Sequence, residues 1–162
     1  MLHFKKGGNK MSTYLIFGIL GALLTGIAIG TQSTLSSRIG TIIGSLRTGV
    51  LMNFIGGGLA GIIFLVLMFV NGRSYAKAPP IAWLLLTIAG ALGIAIISGV
   101  SFSLQRAGVA AGLATIILGQ MVISLIADAH GWGGAAPIPV TLPRIFGLVF
   151  LAAGVFLLLP KR

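Results

Sequence analysis

Long apolar runs separated by short polar stretches dominate the chain. Their lengths predict five membrane-crossing helices over residues 13–32, 48–70, 81–104, 108–128 and 143–160, in one membrane domain spanning residues 13–160. A helix rises 1.5 Å per residue, so the uncharged run from Gly108 to Ala127 spans about 30 Å, the thickness of a bilayer's hydrocarbon core. Residues 1–12 form a polar tail and residues 161–162 a basic end. Residues 33–47 mix two arginines with glycines and read as a connector with one amphipathic turn. Only Gln105 and Arg106 separate the third and fourth runs, which makes those helices an antiparallel hairpin. A proline opens the fifth helix, and Trp83 and Trp132 fall where amphipathic rings suit the headgroup boundary.

Within the runs, small and polar positions recur at helical spacing. Gly18, Ala22, Gly26 and Gly30 lie four apart, and Gly57 and Gly61 form a second small pair. Lipid gives helices no hydrophobic reason to associate, so such grooves are expected to be packing surfaces. The serines near the end of the third run are expected to bond back to their own helix. Gln120, Ser124 and Asp128 form a slanted polar stripe on the fourth helix, and Thr25 and Gln32 share a face of the first. Polar side chains in lipid must face protein or water. Gln32, Asn53, Gln120, Thr25 and Ser124 are therefore candidate walls of a cavity. For Gln32 an interhelical hydrogen bond is an equal alternative.

Composition narrows the function. Hydrophobic residues make up 57% of the chain and charged ones 7%, against about a quarter in ordinary soluble domains. Eleven Lys and Arg face one acid, Asp128, but the cations are scattered between apolar runs. That pattern suits anionic lipid headgroups and not nucleic acid. With one Asp, no Glu, no Cys and two His, the chain offers no acid/base pair, thiolate or metal cluster, so an enzyme and a bound cofactor are not expected. Residues 14–30 are long for a signal peptide, and a start at Met11 would leave the first ten residues an extension.

Several of these residues carry a resemblance. The run from Gly30 to Gly40, Asn53-Phe54, Gly119-Gln120 eight residues before Asp128, and Pro143-Arg144 with Gly147 resemble the YdcZ-type family, a five-helix branch of the drug/metabolite transporter superfamily. Ser36 stands where many of its members carry Asn. The resemblance implies an inner-membrane transporter of small molecules, an exporter, that works as an antiparallel homodimer. Each chain would supply half of a ten-helix bundle.

Asp128 admits two roles. It can be a coupling site for a proton or cation, which would make the chain a cation/proton antiporter. It can instead be an ion-pair partner, for Arg144 on the same side of the membrane or for Arg38 or Arg106 of an inverted copy. Its place at the end of a span, where the helix dipole opposes a carboxylate, favours the ion pair. A cavity lined by neutral amides and hydroxyls suits a neutral, zwitterionic or weakly charged metabolite. A non-transporting scaffold or membrane subunit, held together by small residues alone, is the remaining alternative.

Charge also bears on orientation. Lys5, Lys6, Lys10, Arg73, Lys77 and Arg144 fall on one side, and Arg38, Arg47, Arg106, Lys161 and Arg162 on the other, six against five. Because Lys/Arg asymmetry sets orientation, a near tie predicts insertion both ways up. A start at Met11 shifts the count to three against five. A C-terminal tag on the full chain is expected to be reachable by an impermeant reagent from both faces of the membrane; labelling from one face alone would refute dual insertion.

Overall fold

The computed structural model describes residues 8–72, 77–132 and 136–160, with side chains from Leu15 onward. Among these residues the chain forms five helices and no strand: α1 Gly8–Ile43, α2 Ser45–Asn71, α3 Pro80–Ala107, α4 Val109–His130 and α5 Leu142–Leu158. The first four are long and apolar enough to cross a bilayer, and α5, with 17 residues, is a shorter apolar helix. The molecule is an all-helical integral membrane protein. Of the cations in the charge comparison, Lys5, Lys6, Arg73, Lys161 and Arg162 lie outside the described residues.

The reversals are tighter than the sequence suggests. Residues 33–47 are not a connector: α1 runs on to Ile43, only Gly44 is non-helical, and α2 begins at Ser45. Gly44 adopts φ +90°, donates its N–H to Gly40 O at 3.0 Å and accepts from Thr48 N at 3.0 Å. One residue thus ends one helix and starts the next. Gly108 does the same between α3 and α4 at φ +80°, so Gln105 and Arg106 belong to a helix and not to a turn. A residue with a Cβ would be strained at either position.

Helix α3 sits at the centre and packs on α1, α2 and α4, whereas α5 touches α4 alone. The contact surface is small and polar. Ser36, Thr48 and Ser101 are fully buried, and Ser33 and Ser37 nearly so, joined by Val100, Leu104 and Ala111. The large apolar side chains point outward, among them Phe54, Phe69 and Phe156. None of the most apolar windows of α1, α2 or α3 contains a buried residue. The buried positions 33, 36, 37 and 40 of α1 recur at helical spacing, so residues with the composition of a loop form the interface of a helix.

Hydrogen bonds tie this surface together. Ser101 Oγ donates to Ser36 O at 3.0 Å, and Ser36 Oγ donates to Ile97 O at 3.4 Å. Gln105 Nε2 reaches Ser45 Oγ and Ser101 Oγ, each at 3.0 Å, and Ser101 O at 2.8 Å. Ser101 therefore does not bond back to its own helix, as expected for these serines; it bridges α3 to α1. A Cβ on Gly40 would overlap Ser101 Oγ and Gln105 Nε2. One on Gly49 would overlap Ser98 Oγ and sit 2.7 Å from Ile94 O and 2.9 Å from Ser98 N.

The small positions singled out in the sequence are mostly not the ones that make these approaches. Gly18, Gly26, Gly30, Gly57 and Gly61 have no neighbour from another part of the chain within Cβ reach. At its glycines, the groove expected on α1 makes no close approach to another helix among the described residues.

These geometries separate the glycines experimentally. Gly49→Ala forces a Cβ onto backbone atoms and is expected to cost about 1–3 kcal/mol, the usual penalty of overpacking. Gly99→Ala meets open space and should be neutral or stabilise by up to about 1 kcal/mol through helix propensity. Thermal unfolding in detergent compares them, and equal melting shifts would contradict the close approach at Gly49.

Candidate functional site

Two clefts contain some of the polar residues that the sequence singled out. The first, about 250 Å³, lies between α1, α2 and α3. Gln32, Asn53, Met52, Gly56, Gly57, Gly93, Ile96 and Ile97 line it. Asn53 is about 8 Å along the axis from the midpoint of α2, so the cleft opens near mid-bilayer depth. Asn53 donates Nδ2 to Gly49 O at 2.8 Å. Its Oδ1 lies 2.8 Å from where a Cβ on Gly93 would stand, so a side chain at 93 would make that carboxamide shift. Gln32 lines the cleft from α1, is solvent-exposed, and makes no hydrogen bond to another described residue. The interhelical bond weighed for Gln32 is thus not made among the described residues.

The second cleft, about 290 Å³, lies between α4 and α5 and holds Ser124, Asp128 and Arg144 against Met121, Leu125, Gly147, Leu148 and Leu151. Arg144 Nη2 bonds Asp128 Oδ2 at 2.6 Å. Asp128 sits in the last turn of α4 and Arg144 in the first turn of α5. Each charge is on the end its own helix dipole disfavours, and each offsets the other. The loop between them is fixed from Asp128 as well. Gly131, in the left-handed conformation at φ +66°, caps α4, and Ile138 N donates to Asp128 O at 2.9 Å. Arg144 Nη1 is buried and finds no acceptor.

The five candidate cavity residues therefore do not converge. Gln32 and Asn53 share one cleft, Ser124 lies in the other, and Thr25 and Gln120 line neither. Thr25 Oγ1 is satisfied within its own helix by Gly21 O at 2.8 Å, and Gln120 is exposed on α4. Four-residue spacing did place Ser124 and Asp128 on one face, but α4 does not turn that face toward α1 and α2. Of the cleft residues missed, Gly56 and Gly57 sit one helical turn beyond Met52 and Asn53. That spacing could have grouped them with Asn53.

A model of the family described as "Putative inner membrane exporter, YdcZ" matches residues 17–157. No curated protein and no solved structure matches the chain.

The contact between α5 and the rest of the chain is testable. In a double-mutant cycle of Asp128→Asn and Arg144→Gln, read by thermal unfolding, the pair is expected to show a coupling of about 0.5–1 kcal/mol, the range for partly exposed ion pairs. Strictly additive effects would show that the pair does not hold α5 to α4.

Proposed function

The chain belongs to the YdcZ family of inner membrane proteins, and from that premise we propose that it exports a small, neutral or weakly charged molecule bound at the Gln32–Asn53 cleft. The family is one of transporters and not of enzymes. The observation that carries the reading is the carboxamide of Gln32, which stands in a cleft near mid-bilayer depth with no hydrogen-bond partner among the described residues. An amide left unpaired in hydrocarbon costs about 2–7 kcal/mol. Water or a substrate in the cleft removes that cost. Two carboxamides supply both donors and acceptors without a net charge, and Met52, Ile96 and Ile97 add apolar wall. A hydroxylated or amide-bearing metabolite, or a drug-like compound with those groups, matches this surface.

In this reading the cleft is gated on one end. Between it and the Gly44 and Gly108 turns lie Ser36, Thr48 and Ser101, all fully buried; Ser36 and Ser101 bond across α1 and α3, and Thr48 bonds back to Gly44 O at 2.8 Å. Each of these neutral bonds is worth only about 1 kcal/mol, so the seam can part and exchange its bonds with water. The opposite flank is open: among the described residues a Cβ on Gly26, Gly30 or Gly61 would meet nothing within 4 Å. A second, inverted copy seated there would close the cavity and supply the inverted repeat that alternating access commonly uses. Asp128, bonded to Arg144, then serves the fold and not coupling. A scaffold would bury Gln32 in dry helix contact, and its exposed carboxamide argues against that.

Efflux from vesicles carrying the purified chain, screened by mass spectrometry across neutral metabolites, tests the proposal. Once a substrate is found, Gln32→Leu and Asn53→Leu are each expected to slow transport about tenfold, the value of one lost hydrogen bond of roughly 1.4 kcal/mol. Unchanged transport in both variants would overturn this site.

A further inference from the structure

The cleft between α4 and α5 is not part of the proposed substrate path, and its chemistry is unlike that of the first. We infer that it seats one anionic phospholipid, with the phosphate held at Arg144 and Ser124 and an acyl chain lying along Met121, Leu125, Leu148 and Leu151. The guanidinium is short of acceptors: Nη2 bonds Asp128, whereas Nη1 is enclosed with none. Ser124, on the same wall, makes no hydrogen bond to another described residue. Arg144 and Ser124 both line the cleft, so a phosphate seated there stands beside the guanidinium and the hydroxyl. Its position fits a lipid: Arg144 is in the first turn of α5, at the headgroup end of the helix, and the lower wall is aliphatic. The positive end of the α5 dipole adds to the attraction for an anion.

The cleft is also open to lipid. Only α4 and α5 line it, and among the described residues α5 touches no other helix. A second copy of the chain is a poor occupant on charge grounds. The only acidic side chain in 162 residues is Asp128, already bonded to Arg144. An inverted copy would bring the end carrying Arg38, Arg47 and Arg106 level with the site, adding cations where an acceptor is missing. An anion must come from outside the chain, and basic pockets between membrane helices commonly take it from a lipid headgroup.

Native mass spectrometry of the full chain in detergent, with added phosphatidylglycerol or phosphatidylcholine, tests the inference. Phosphatidylglycerol is expected to be retained about tenfold better, the effect of one charge-assisted hydrogen bond. Asp128→Asn combined with Arg144→Gln removes the charges while keeping a neutral pair, and should bring the two lipids level. Gly147→Leu leaves the charges intact and fills the cleft; a Cβ there meets nothing within 4 Å, so the variant should fold, as its circular dichroism and melting would confirm. It should lose the bound lipid. Excess glycerol phosphate, which has the headgroup chemistry without the tail, should not displace it. Retention of the wild-type preference in both variants would overturn the proposal. So would displacement by glycerol phosphate, or a dimer that Gly147→Leu dissociates without any lipid dependence.

Discussion

The fold depends on how closely α3 can approach α1 and α2, because lipid supplies no hydrophobic force to bring helices together. Gly40 and Gly49 remove the Cβ atoms that would stand in the way, and Ser36, Ser98 and Ser101 fill the space left. Once the backbones are that near, Ser101 can reach Ser36 O and Gln105 can reach Ser45, and these bonds hold the three helices at one end. Further along, Asn53 and Gln32 take the place of serines, and Gly56, Gly57, Gly58 and Gly61 of α2 have no other described helix within Cβ reach. The same contact that closes one end therefore makes room for a cleft near the middle. The single-residue turns at Gly44 and Gly108 are part of this arrangement, since a longer connector would let the helix ends drift apart.

Much of this was legible in the sequence, and what was not has two physical causes. The apolar runs gave the helical class because their length is dictated by the bilayer, which no tertiary contact alters. The Asp128–Arg144 contact was also among the readings, since a lone acid on the wrong end of a helix dipole needs a cation nearby. Residues 33–47 were misread because serine, glycine and arginine signal a loop in water. In lipid, Ser33, Ser36, Ser37 and Gly40 are the inner face of a helix, and Leu35 and Ile42 are its outer one. Periodicity at 3.6 was present, but in the small polar residues. The five cavity candidates scattered for a different reason. Spacing along one helix places side chains on a common face, yet nothing in a single helix says toward which neighbour that face turns. Gln120 lies on the fourth helix, whose main neighbours are α3 and α5, and so it never meets Gln32.

The distribution of charge links the two clefts to the membrane around them. A chain with one acid can neutralise one cation internally, and this chain spends it on Arg144, at the joint where α5 is otherwise held only by α4. Arg106 folds over the Phe102 ring at 3.5 Å, so at that end of the molecule an aromatic face stands in for a carboxylate. The clefts divide the chemistry accordingly. The one near the bilayer middle has amides alone, where an unpaired ion would be expensive to hold. The one at the helix ends has the ion pair, whose two side chains stay partly exposed. Depth in the bilayer thus decides which polar groups each cleft can carry: neutral amides near the centre, and a charged pair at the edge.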